Sequence, residues 1–173
     1  MLVAGGADAQ APMETAADTA RLAAKFGLWH TQRTRDPMDV RPTVVSTLPA
    51  DSAAFGKPAH GTLVVTCTRG EPLVGLDVGQ NLAPDSAEHL LQVRLRFDQN
   101  QPRTMYWLSK EGVPFATTRP ADARSTLARM ANARVLWVEV QDADATQHLI
   151  RFNLSATRQG LTPWLARSGC WPR

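Results

Sequence analysis

Residues 89–110 read HLLQVRLRFDQNQPRTMYWLSK, the longest clean period-two pattern in the chain with a second extended run directly behind it. In the first run His89, Leu91, Val93, Leu95 and Phe97 fall on one side, and Gln92, Arg94, Arg96 and Asp98 on the other. Successive side chains of a strand point to opposite faces, so this alternation predicts an antiparallel strand with one buried face. Gln99, Asn100, Gln101 and Pro102 form the turn. In the second run, Thr104–Lys110, Tyr106 and Leu108 share one face while Met105 and Trp107 share the other. Apolar residues on both sides predict an arm covered on both sides, at the centre of the core.

The same pattern recurs on either side of this hairpin. Leu28–Arg33 begins the β region with Trp29 as its first large anchor, and Thr43–Leu48 follows. Gly61–Arg69 turns Leu63, Val65 and Cys67 to one face, and Pro72–Val78 returns with Val74, Leu76 and Val78. Beyond the hairpin come a short extended piece at Phe115–Thr118 and two strands, Arg134–Gln141 and Gln147–Leu154, each with three or four apolar residues on one face. Pro120 opens a helix to about Asn132, since proline suits a first helical turn and Leu127, Met130 and Ala131 recur at helical spacing. A shorter helix is expected around Pro163–Arg167, capped by Thr162. The expected fold is mostly β, an antiparallel β-sandwich or curled sheet of roughly seven to nine strands with one or two short helices. Residues 1–26 are expected to be a lead-in, helical or linker-like, and 27–173 a single β-rich domain.

The 173 residues are 43% hydrophobic and 20% charged, enough for one well-buried core. The net charge of +3 arises from 19 basic residues scattered singly among 16 acidic ones. A protein that tracks phosphates concentrates its charge along one surface, so nucleic acid is not the expected partner. No stretch approaches ~18 consecutive apolar residues, so no transmembrane span is expected. The opening MLVAGGADAQA carries two A-x-A patterns, at residues 7–9 and 9–11, like the end of a secretory signal peptide. It lacks a basic n-region and a full apolar h-region, and an Ala/Gly-rich start is the other reading. Cys67 and Cys170 are the two cysteines, either bonded to each other or separate buried thiols. Cys67 shares the inward face of its strand, and few apolar residues, Leu161, Trp164 and Leu165, are available to anchor the C-terminal helix. Together these predict a Cys67–Cys170 disulfide in an oxidising compartment.

Chemistry is hard to find. The chain has no G-x-S-x-G elbow, P-loop, H-E-x-x-H or C-x-x-C, so no catalytic residue, metal ligand or cofactor is assigned. His30, His60, His89 and His148 lie far apart in sequence. Asp36 and Asp39 could hold a cation, but their place beside Pro37 reads first as a turn. A binding module remains the better expectation. The polar side of the first hairpin arm, Gln92, Arg94, Arg96 and Asp98, is the candidate protein-binding surface, against an ordinary solvated strand face.

Trp29, then Asp36-Pro37-Met38-Asp39, then Cys67 near a strand end, Arg96-Phe97-Asp98, Trp107-x-Ser109, Phe115, Phe152-x-Leu154 and Cys170-Trp171 occur in an order that resembles the TagO/VasI family. That family comprises small exported proteins associated with bacterial type VI secretion clusters and with prophage-like regions. The likeness runs from Gly27 to Trp171. Val40 stands where the family usually has a second Asp, and Ala156-Thr157 where it has Gly-Leu. What the resemblance implies is a non-enzymatic periplasmic or cell-envelope accessory protein whose partner is a protein of the envelope or secretion machinery. An immunity or phage-exclusion protein that occludes another protein is the alternative, and a small periplasmic hydrolase a further one.

Overall fold

The computed structural model describes residues 27–34, 43–51, 61–85 and 87–171. The expected lead-in over 1–26, the Asp36–Asp39 turn and His60 lie outside these residues. Nine strands follow in chain order: β1 His30–Thr34, β2 Thr43–Pro49, β3 Thr62–Thr68, β4 Glu71–Asp77, β5 Leu90–Phe97, β6 Arg103–Ser109, β7 Phe115–Thr117, β8 Val135–Gln141 and β9 Gln147–Asn153. They form one antiparallel sheet in the order β1-β2-β3-β4-β7-β6-β5-β8-β9. Of the two architectures expected from sequence, the curled sheet is the one formed. Helix α1, Pro120–Asn132, carries the chain from β7 to β8; α2, Thr157–Gly160, and α3, Thr162–Arg167, follow β9.

In most strands from β2 to β9 buried residues alternate with more exposed ones, and the buried rows meet in one cluster. Val44 and Leu48, Leu63 and Val65, Val74 and Leu76, Leu91, Val93 and Leu95, Trp107, Leu136 and Val138, and Ile150 and Phe152 all belong to it. Alternation alone creates two faces; curling allows one of them to close on itself, and α1 covers part of the opening. Leu127 and Met130 of α1 are buried in the same cluster, and Leu161 and Leu165 join it from the C-terminal helices. The ends of the sheet approach each other. The Asp51 amide beyond β2 donates to the Arg151 carbonyl on β9 at 2.8 Å, and Trp29 Nε1 donates to Thr157 Oγ1 at 3.1 Å. Cys67 on β3 and Cys170 beyond α3 are joined, with Cα atoms 5.9 Å apart.

The tight β3–β4 hairpin has Arg69 and Gly70 between Thr68 and Glu71, both at positive φ, 55° and 82°. That pair of left-handed residues matches the turn geometry whose twist suits antiparallel strands.

Three expectations are corrected. The second hairpin arm, β6, is covered on one face only: Trp107 is 1% exposed, whereas Tyr106 and Leu108 are 49% and 39% exposed. Among the described residues no second layer covers its outer side there. His89 stands outside β5 with φ 54°, exposed, so the inward row begins at Leu91. Thr162 does not cap the last helix but is its first residue; Leu161 occupies the cap, and the Thr162 hydroxyl donates back to the Thr157 carbonyl at 3.4 Å.

Candidate functional site

The outer face of β6, β5, β8 and β9 is built by the residues that alternation turns away from the core. Register decides who meets whom. Leu90 lies opposite Leu108, and Gln92 opposite Tyr106. Arg94 lies between Thr104 and Glu139, with Leu149 beyond Glu139. Arg96 is opposite Trp137, which in turn is opposite Arg151. Arg94 Nη1 donates to both Glu139 carboxylate oxygens, at 2.9 and 3.2 Å. The Arg96 and Arg151 guanidinium carbons lie 5.4 and 5.9 Å from the Trp137 ring centroid, within reach of cation–π attraction. Arg151 also pairs with Asp51, which ties the outer face to the closed edge of the sheet.

These side chains surround a shallow hollow of about 300 Å³ lined by Arg94, Arg96, Pro102, Trp137, Glu139 and Leu149. Leu149 is 48% exposed, comparable to Tyr106. The face therefore offers aromatic and aliphatic surface framed by guanidinium groups already held in place by neighbours. Ordering costs on binding fall when the contacting side chains are held beforehand.

Three of the four surface residues expected from sequence, Gln92, Arg94 and Arg96, share this face. Asp98 does not. It follows the last residue of β5 with φ 52°, and its Oδ1 accepts the amides of Arg134 and Val135 at 2.9 Å each. Trp137, Glu139, Leu149 and Arg151 were missed as members of the site. The alternation of their own strands placed them outward, but only the β5–β8 pairing, formed across the β6–β7–α1 excursion, brings them beside Arg94 and Arg96.

Elsewhere one titratable pair holds a turn. His148 Nε2 donates to Asp142 Oδ2 at 2.7 Å, while Asp142 Oδ1 accepts the Asp144 and Thr146 amides, both at 2.9 Å. The His148 hydrogen bond is the main cause that lowers the Asp142 pKa; burial opposes it, and the two amides add to it. The pair closes the β8–β9 turn, which bonds through the Ala143 amide to the Asn81 carbonyl at 2.8 Å. Among the described residues no three His, Cys, Asp or Glu side chains gather as a metal ion would require. No helix among them is long and apolar enough to cross a membrane.

No protein-family model matches the chain, and no curated protein matches it. Among solved structures it is similar to the crystal structure of invasion associated protein b from Bartonella henselae, with a TM-score of 0.53 and 14% identity over 82% of this chain and 94% of that one. At that identity the likeness is one of fold.

Proposed function

We propose that this chain is a non-enzymatic accessory protein of the periplasm or cell envelope that works by holding a protein partner on the outer face of β6–β5–β8–β9. The observation that carries the reading is Trp137 flanked by Arg96 and Arg151, with half-exposed Tyr106 and Leu149 on the same sheet face. Trp, Tyr and Arg are the residues that dominate binding energy in protein interfaces, and aromatic and Arg side chains are enriched in their centres. The Cys67–Cys170 bond supports the exported half of the proposal, because disulfides persist in oxidising compartments and are rare in the cytosol of most organisms. The type VI secretion setting rests on the motif order that resembles the TagO/VasI family.

The test uses the purified, disulfide-intact protein as bait in a periplasmic extract, beside a Trp137→Ala variant. A partner held by the wild type is expected to bind the variant at least about 30-fold more weakly, the scale of an interface residue worth ~2 kcal/mol. Equal retention by both would remove the outer face from the reading. Turnover of any substrate that vanishes on replacing one His or Asp would overturn the non-enzymatic assignment.

A further inference from the structure

We propose that the cleft between α1 and the β5–β6 turn is a second binding site, specific for an acidic peptide segment. It shares Pro102 with the outer-face hollow but is otherwise lined by different residues, except for Arg94 and Arg96 standing only in the hollow, and it does not rest on that reading. The cleft has a volume of about 730 Å³, within the ~300–1,000 Å³ range of ligand sites. Its floor is Leu95 and half-buried Phe97, and its helix wall is kept low by Ala128 and Ala133. Arg103 enters from β6 and Arg129 from α1. Both are exposed, and neither forms an ion pair with a described residue. The side chains of Asn100 and Gln101, on the turn, are likewise without a hydrogen bond to a described residue. A third guanidinium stands at the helix end, where Arg158 Nη2 donates to Asn132 Oδ1 at 2.6 Å.

The carboxylate in the lining, Asp98, has one oxygen engaged by the Arg134 and Val135 amides, which offset part of its charge. Two carbonyls near the end of α1 are engaged: Ala128 O accepts Asn132 Nδ2 at 2.7 Å, and Met130 O accepts the Ala133 amide at 3.4 Å. What remains is a row of uncommitted donors over an apolar floor. Guanidinium groups pair with carboxylates through charge-assisted bonds, and carboxamides match the C=O and N–H of a peptide backbone. The volume of the cleft exceeds what a single small anion would fill, and its apolar lining offers a place for an apolar side chain. An acidic peptide with an apolar residue at its centre meets all three features.

The probe is a fluorescein-labelled Glu-Glu-Phe-Glu-Glu peptide, titrated by anisotropy against the folded, oxidised protein at physiological salt. Saturable binding is expected, with the Gln-for-Glu peptide at least tenfold weaker. The double variant Arg103→Gln/Arg129→Gln should also bind at least tenfold more weakly, while Lys110→Gln, an exposed cation beyond the far end of β6, should bind as the wild type does. Both substituted arginines are exposed, and an unchanged melting temperature verifies that the double variant folds. The proposal is overturned by absent binding at millimolar peptide, or by a double variant that binds like the wild type. It is overturned equally if an anionic phospholipid vesicle or a DNA oligonucleotide displaces the peptide and binds more tightly through the same two arginines.

Discussion

Asp142 shows how one side chain gives the β8–β9 turn a dependence on pH. Its carboxylate is the hub of the turn, receiving His148 Nε2 on one oxygen and two backbone amides on the other. These donors favour the charged form, and the His148 bond does so most, so the folded protein binds this proton less readily than the unfolded chain. Where the unfolded state binds more protons, stability rises with pH. The contribution is therefore complete above the ordinary Asp value of about 3.9 and is lost as pH falls through the lowered folded value. We expect wild-type stability, measured by denaturant unfolding between neutral pH and strong acid, to fall more steeply below about pH 4 than that of Asp142→Asn. Parallel curves for the two proteins would show that the carboxylate is not held as the structure describes. Trp107 presents a contrasting case at the same scale, since its ring is fully buried while its Nε1 has no hydrogen-bond partner among the described residues. Burying the large apolar ring is favourable enough to tolerate one unpaired donor.

Among the elements, the junction of β5 with the start of β8 depends on Asp98. A left-handed φ of 52° is accessible to Asp and Asn and costly for Ala, and the side chain accepts the Arg134 and Val135 amides. Asp98→Ala is expected to cost about 1 to 2 kcal/mol in unfolding free energy, and Asp98→Asn distinctly less because it keeps both the oxygen and the backbone preference. If the two variants lose the same stability, the acceptor oxygen has no role at this junction. Elements of this kind were legible in the sequence where a local period carries the information. Alternation located the β5 and β6 runs, β8 and β9, and Pro120 with Leu127, Met130 and Ala131 marked α1 at its observed bounds. Alternation separates two faces but does not say which is covered, and so the exposed Tyr106 and Leu108 were read as core. Helix α2, four residues long, is too short to show a period. The makeup of the candidate face was half legible for a related reason: Gln92, Arg94 and Arg96 lie on one strand, whereas Trp137 and Leu149 join them only through pairings across long stretches of chain.

For the molecule as a whole, the question is what keeps a curled sheet of nine strands closed at the end where β3, α1 and the C-terminus converge. Three kinds of contact meet there. Arg124 of α1 donates to the Gly70 carbonyl in the β3–β4 turn at 2.8 Å and to the Cys170 and Trp171 carbonyls at 3.4 Å. Leu161 and Leu165 are fully buried under the tail, and the Cys67–Cys170 bond crosses a sequence separation of 103 residues. The covalent link acts mainly on the unfolded state, where closing a loop of that length removes conformational freedom equivalent to about 4 to 5 kcal/mol by the chain-entropy argument. Against a domain stability of roughly 5 to 15 kcal/mol, that is a large fraction. The buried leucines and Arg124 remain after reduction, so the reduced protein is expected to stay folded at low temperature and melt well below the oxidised form. Its opening should begin at the tail, with amides of residues 165–171 losing hydrogen-exchange protection before those of β5 and β8. A reduced protein with an unchanged melting temperature would contradict the contribution assigned to the bond. Intact mass of unreduced, alkylated protein after expression to the periplasm gives the direct check: two alkylated thiols would contradict the disulfide and withdraw its support for an oxidising environment.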